Sequence, residues 1–459
     1  MNITQEELIE LAKQFAIKIN TKDDKELITS TDTDWRTSLE TDSRGNLKQS
    51  NVNCRIILEN DEILKEAFKY NELRGSIDVV KDLPWIRDTI SISDNDIDNT
   101  IIYLEKYYGI KADRLIERAI RTVAHDNRYH PVKDKLNSLV WDKIPRLPNV
   151  LNHFLGVEKN DLTIEFLKVF MLGAIERVFN PGCKFEYMLC IVGGQGAGKS
   201  TFLRFLAIND EWFTDDIRQL NDKDVYEHLQ GHWIIEIPEM VAILRTKTVE
   251  ETKAFISKTK DNYRIPYEKY SADRKRQCVF AGTSNQMQFL PSDRSGNRRF
   301  LPIEADMDKA EVHILDDEEY SRAYMEQLWA EVMELYRSGN YSLAISKEIQ
   351  DRLTELQCKY TPEDIIGSSI QNYIESYNPE YVCTKMLFEK ALGYPRNISP
   401  DIRQARAIGD VMNNKYSKVY EKLDTHNFSE YGIQRAWKRI NDLSFMPLSS
   451  DEESHIPFK

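Results

Sequence analysis

The chain has 459 residues, a formal net charge of −13, and 41% apolar and 10% aromatic side chains. That length calls for two or three domains, and that composition can bury genuine cores, which excludes a disordered chain. The acid excess argues against a broadly basic nucleic-acid-binding coat, but not against a ring whose positive charge is confined to its central channel.

Residues 1–30 read as helix, with Leu8, Leu11, Phe15 and Ile19 on one stripe. The opening Met1–Glu7 is polar and acidic, unlike a signal peptide, and no apolar run approaches a bilayer span; a soluble cytoplasmic protein without a membrane partner is expected. Residues 30–90 are mixed. Helices are predicted over 101–108, 112–125 and 132–141, and Pro145 and Pro148 then break the pattern near a domain boundary. The acidic run Asp94–Asp98 imitates a calcium loop, but Asn99 stands where the loop needs glycine, so an acidic helix start is the better reading. A further helix is predicted over 162–180, ended by Pro181-Gly182. After it come short, almost wholly apolar strands over 187–192, 233–237 and 277–281, as a sheet buried on both faces requires. Helix returns over 324–336, and the last hundred residues read as short helices ending in the basic run Arg435–Arg439. Cys54, Cys183, Cys190, Cys278, Cys358 and Cys383 form no Cys-x-x-Cys pair and are expected as reduced thiols. His228 and His232 lack the glutamate of a zinc-protease helix, and His125 and His130 read as helix-end and turn residues.

The strongest motif is Gly193, Gly194, Gln195, Gly196, Ala197, Gly198, Lys199, Ser200 and Thr201, between a predicted strand and a predicted helix. Glycines let backbone N–H groups curl around phosphates, and the helix start points its positive dipole end at the same anion. Lys199 would neutralise the outer phosphates and Ser200 would hold Mg²⁺, so ATP and Mg²⁺ are the expected cofactors. Acidic partners are expected at the end of a neighbouring strand, where Glu236 and Glu239 stand; one would hold the metal and one would activate water, and spacing alone does not assign the roles. Asn285 ends the next strand and suits positioning of the attacking water. Arg298 and Arg299, after a Gly-Asn turn, suit an arginine supplied to a neighbouring subunit's nucleotide. Between these motifs, residues 261–276 mix basic and aromatic side chains on a predicted hairpin; Arg264, Tyr267, Lys269 and Tyr270 are the candidate DNA contacts.

Taken together, these segments resemble the virulence-associated protein E family, a superfamily 3 helicase-like branch of the AAA+ class. The resemblance includes Phe179–Met188, Lys253–Ser257, Asp261–Tyr267, Gly282–Asn285, Gly296–Phe300 and Gln327–Glu331, with Tyr129–Val132 and Leu139–Asp142 upstream. It covers residues 100–340 well and the ends loosely. It implies an α/β fold: an AAA+ P-loop ATPase core at 146–345, a mixed, mainly helical accessory region at 1–145, and a small helical or winged-helix-like domain at 346–459. It also implies a hexameric homo-oligomeric ring working on single-stranded and forked DNA, in the bacterial host cytoplasm, for phage or phage-satellite replication. A separate primase or origin-binding partner would complete the system, because no primase motif is evident. Arg403, Arg406, Arg435, Lys438 and Arg439 are further candidate DNA contacts. The alternatives are an ATPase that remodels or loads a replication complex without unwinding, and an ATP-regulated origin-binding protein.

Overall fold

The computed structural model describes residues 35–217, 225–240, 249–263, 272–291, 297–362 and 365–440. The expected helix around Leu8–Ile19 and the candidate contacts Arg264, Tyr267, Lys269 and Tyr270 lie outside the described residues. The chain divides into two compact units, with the boundary between Thr361 and Pro362.

The first unit begins with a lobe that has its own core. Helix α1 (Asn51–Asn60) starts on Ser50, whose hydroxyl accepts from the Asn53 amide. A hairpin of β1 (Phe68–Asn71) and β2 (Ser76–Val79) follows, then α2 (Asp94–Tyr108), α3 (Asp113–Asp126) and the short β3 (Arg128–Tyr129), which runs parallel to β1. The Asp94–Asp98 run is the capped start of α2: Ser93 and Asp96 exchange side-chain-to-backbone bonds. Helix α3 buries Ile116, Ala119, Ile120, Val123 and Ala124 on one face, in a cluster with Cys54, Ile57 and Leu58 of α1. The lobe's buried carboxylates are all satisfied internally. Asp61 accepts the Tyr108 hydroxyl at 2.6 Å, Asp78 accepts Asn71 at 2.7 Å, and Asp96 takes Arg87 and the Trp85 indole at 2.7 and 2.9 Å.

Helices α4 (Pro131–Ser138), α5 (Val150–Leu155) and α6 (Asp161–Phe179) lead into the sheet. Its strands are β4 (Met188–Val192), β5 (Phe213–Thr214), β6 (Ile234–Ile237), β9 (Val279–Ser284) and β10 (Phe300–Glu304), in the spatial order β10-β4-β9-β6-β5, all parallel. Strands β4 and β9 are buried at every position, the expected result for strands covered on both faces. One face is covered by α6, by α7 (Lys199–Leu206) and by α10 (Glu318–Arg337). The other meets Leu229 of α8 (Val225–Leu229) and Phe255 and Ile256 of α9 (Val249–Ser257). Trp233 and Trp329 pack in the first layer with ring centroids 4.5 Å apart and planes tilted by 36°, and each indole N–H finds a backbone carbonyl, Ala174 and Leu206 respectively. Helix α11 (Lys347–Tyr360) closes the unit: Leu353 joins the core, and Gln357 bonds the carbonyls of Asn297 and Phe300 at 2.7 and 2.8 Å. The three predicted strands are present. Strand β10 was not among the predicted strands; it carries Pro302, which is tolerated because β10 is the sheet's edge.

Gly156 closes α5 with φ +61, and a Cβ there would sit 1.8 Å from the Asp306 carbonyl oxygen. This close approach fixes the segment after β10 against α5. Gly156→Ala should therefore lower stability by about 3 kcal/mol, from left-handed strain plus a clash with backbone that cannot rotate away. The urea midpoint measures it; a shift equivalent to less than ~1 kcal/mol would mean that the segment yields.

The second unit contains α12 (Ile365–Tyr377), β11 (Tyr381–Cys383), α13 (Thr384–Met386) running into a π turn, α14 (Ile402–Asp410) running into another, and a hairpin of β12 (Tyr420–Phe428) and β13 (Gly432–Arg439). The antiparallel order is β11-β13-β12. This corrects the all-helical reading of the last hundred residues: the basic run Arg435–Arg439 is a strand. Its hairpin partner is mostly exposed and carries a register shift between Leu423 and His426, so a regular apolar alternation is missing from the sequence.

Candidate functional site at the carboxyl ends of the parallel strands

The carboxyl ends of β4, β6 and β9 lie side by side, and the singled-out residues gather there. In open parallel α/β sheets this edge is where ligands bind. The glycine-rich loop leaves β4 and enters α7. Gly196 and Gly198 have φ +82 and +67, which side-chain-bearing residues rarely adopt. Gly193 is glycine for a different reason: a Cβ would meet the Ala305 carbonyl oxygen at 2.5 Å.

Lys199, the first residue of α7, is buried. Its ammonium donates to the carbonyls of Gly193 and Gly194 at 2.8 and 2.7 Å and to Asn285 Oδ1 at 2.9 Å. Burial pushes its pKa below the ordinary lysine value, opposed by Glu239 and Glu236. Asn285 turns its amide nitrogen to Glu239 Oε1 at 2.7 Å, so one side chain joins the cation from β4's loop to the acid after β6. Glu239 is exposed and sits at φ +47, a strained conformation for a residue with a Cβ.

Glu236 differs from Glu239. It is fully buried within β6, and its Oε1 accepts the hydroxyls of Ser200 at 2.7 Å and Thr283 at 2.5 Å. Its Oε2 is buried and has no hydrogen-bond partner among the described residues. Burial raises its pKa, while the two hydroxyls and Lys199 oppose the rise and Asp215 adds to it. A buried carboxylate oxygen with no donor, beside a serine hydroxyl, is suited to a hard cation. Among the described residues no cluster of three or more His, Cys, Asp or Glu could hold a metal by itself. Mg²⁺ uses one or two protein oxygens and completes its shell with water and a substrate's phosphates, and a serine hydroxyl beside one carboxylate is such a set.

Arg298 and Arg299, just before β10, do not join this cluster. Both meet Glu186, at 3.3 and 3.4 Å, and Arg299 Nε also donates to Ser257 Oγ at 3.0 Å. Arg298 is the more exposed, at 61% of its side chain against 17%. Ser257 ends α9, which leads into a hairpin of β7 (Lys260–Tyr263) and β8 (Ala272–Lys275). The predicted hairpin is therefore present as a stem. Arg276 at its base is structural: it is buried and makes a two-pronged pair with Asp261 at 2.6 and 3.0 Å. Thr283, Glu186 and Ser257 were missed from the sequence. Thr283 had left a readable sign, a polar side chain in a strand that is buried throughout.

Residues 136–362 match the model of the virulence-associated protein E-like domain. The chain carries a virulence-associated protein E-like domain. The match runs from the end of α4 through α5 to α11 and ends one residue past the first unit's last residue. No curated protein matches the chain. Among solved structures, "The A form apo structure of NrS-1 C terminal region-CTR(305-718)" is 13% identical, covering 85% of this chain and 100% of that one with a TM-score of 0.48. A second, "The A form apo structure of NrS-1 C terminal region-CTR", is also 13% identical, covering 81% of this chain and 96% of that one with a TM-score of 0.47. The six cysteines are free thiols, and among the described residues no helix is long and apolar enough to cross a membrane.

Proposed function

We propose that this chain is an ATP-hydrolysing DNA translocase, a replicative helicase of phages or phage satellites whose virulence-associated protein E-like domain is the P-loop motor. The observation that carries the reading is the convergence of Lys199, Ser200, Glu236, Glu239 and Asn285 at three adjacent strand ends, beside a loop whose glycines leave its backbone open. The strand order β10-β4-β9-β6-β5, with this loop leaving β4 between the edge strand and β9, also supports it.

In this reading the backbone N–H groups from Gly194 to Thr201 and the Lys199 ammonium bind the nucleotide's phosphates. Lys199 exchanges the loop carbonyls for phosphate oxygens. Ser200 and Glu236 would hold Mg²⁺, and the unpartnered Glu236 Oε2 gives it an oxygen to use. When bound, MgATP supplies the cleavable phosphoanhydride and the charge that neutralises the leaving phosphate. Glu239, exposed and linked to Asn285, orients water and accepts its proton; Asn285 holds Glu239 in place. Arg298, the more exposed of its pair, would leave Glu186 to reach a neighbouring subunit's nucleotide in a ring. The second unit would add a DNA contact. Its order of helix, strand, two helices and hairpin is that of a winged helix, with Arg403 and Arg406 exposed on α14 and Arg435 exposed on β13.

Strand displacement on forked DNA with ATP and Mg²⁺ tests the proposal. The wild type should separate the strands and stop when the nucleotide is non-hydrolysable. Hydrolysis without displacement on forks of either polarity would reject the helicase in favour of a remodelling or loading ATPase. Sequence-specific duplex binding with no hydrolysis under any condition would point to an origin-binding protein.

A further inference from the structure

The lobe of residues 35–130 takes no part in the strand-end cluster, yet it carries a surface with one sign of charge. Helix α3 shows Arg114, Arg118, Arg121 and His125 to solvent, and Arg128 extends the row just beyond its end. The spacings are four, three and four residues, so at 3.6 residues per turn the four helical positions fall within an arc of about 60°. The buried face, Ile116, Ala119, Ile120, Val123 and Ala124, lies on the opposite side. The most outward part of the helix therefore has no carboxylate in it.

The helix's own acids stand aside or are already engaged. Glu117 flanks the row and reaches Arg121 at 3.8 Å, and Asp126 is taken by Arg55 at 2.7 Å. Among the described residues no carboxylate pairs with Arg114, Arg118 or Arg128. The buried acids Asp61, Asp78 and Asp96 are bonded inside the lobe and do not face this row. In a chain of net charge −13, a helix face with three arginines, a fourth just beyond its end and no carboxylate among them is a departure from composition.

The scaffold presents that face rigidly. Helix α2 ends at Gly109, with φ +68, and four residues later α3 begins. A short glycine-containing turn between two helices is one part of the arrangement that offers a second helix to DNA. Tyr70 of β1 stacks on His125 at 4.1 Å and steadies the far end. Helix α3 has 14 residues, a length of about 21 Å, and a helix with its side chains is about as wide as the major groove of a duplex. The row carries four guanidiniums, and its one ring, His125, is already stacked on Tyr70. Such a row suits the regular phosphates of a duplex better than the unstacked bases of a single strand.

We infer that the α3 face is a duplex-DNA-binding surface, separate from any channel that holds a single strand. It does not depend on the ATPase reading: binding is measured without nucleotide, and a chain that hydrolyses nothing could still bind or fail to bind.

The test titrates full-length protein against a short labelled duplex and the matching single strand at several salt concentrations, comparing wild type with R114Q/R118Q/R121Q/R128Q. Duplex affinity should fall at least about tenfold, and the slope of log affinity against log salt should drop by up to about 3.6, since each lost phosphate contact removes ~0.9. Single-strand affinity, melting midpoint and DNA-free nucleotide turnover should hold. The four-lysine variant R114K/R118K/R121K/R128K should keep the wild-type slope, which a merely misfolded lobe would not. Wild type that fails to bind duplex, an unchanged slope in the glutamine variant, or equal loss on both DNAs would each overturn the assignment.

Discussion

Lys199→Ala should lower nucleotide turnover about a thousandfold, the cost of removing one charge aimed at a developing anion inside a water-poor site. The ammonium is held by three oxygens, from Gly193, Gly194 and Asn285, so it is already aimed along the loop. Lys199→Arg should rescue little. A planar guanidinium cannot fill the space of a compact ammonium between two carbonyls and an amide, and its extra donors would be left without acceptors. Steady-state hydrolysis with the three proteins at matched concentration decides it. An alanine variant within tenfold of wild type would remove Lys199 from the chemistry and take the motor reading with it.

Glu236→Gln should give the opposite signs for activity and stability. Hydrolysis should fall by at least about a hundredfold, because a neutral amide neither attracts a cation nor replaces the carboxylate beside Ser200. The ligand-free protein should melt at higher temperature near neutral pH. Burial raises the Glu236 pKa, so the folded state binds that proton more tightly than the unfolded chain does. The associated stability is present below the unfolded carboxyl value, about 4.3, and is lost as pH rises through the folded value. At neutral pH the ionised form carries its charge on a buried carboxylate with one oxygen lacking a donor, and the amide removes that charge. Thermal melts of both proteins across pH should therefore converge in acid and separate above it. Equal melting points at neutral pH would show that Glu236 is not strained by its burial. Added Mg²⁺ and nucleotide should stabilise the wild type and leave the variant nearly unmoved.

Much of this site could be read from the sequence because its parts are local. A glycine-rich turn between an apolar strand and a helix needs only adjacent residues to be recognised, and Glu236 and Asn285 each mark the end of an apolar run. What the sequence did not reveal depends on contacts made across the chain. Thr283 matters because β9 lies next to β6, an adjacency that no spacing records. The Gly193 constraint comes from Ala305, more than a hundred residues on. Arg298 and Arg299 read as free to reach outward, yet within this chain Glu186 engages both. The β12–β13 hairpin was hidden for another reason. A sheet with one open face and a shifted register needs few apolar residues, so its strands lack the pattern that betrays a buried one.

The strand order has a consequence for how the protein is made. Strand β4 pairs with β9 on one side and β10 on the other, Met188 meeting Phe280 and Phe300. Both neighbours are synthesised about a hundred residues later, which at ordinary translation speed is a delay of roughly 5–20 s. For that interval an all-apolar strand and the buried face of α6 have left the ribosome without their partners. The central pairing with β9 is thus delayed and the edge pairing with β10 comes last, so the apolar strand β4 is exposed to association until both have emerged.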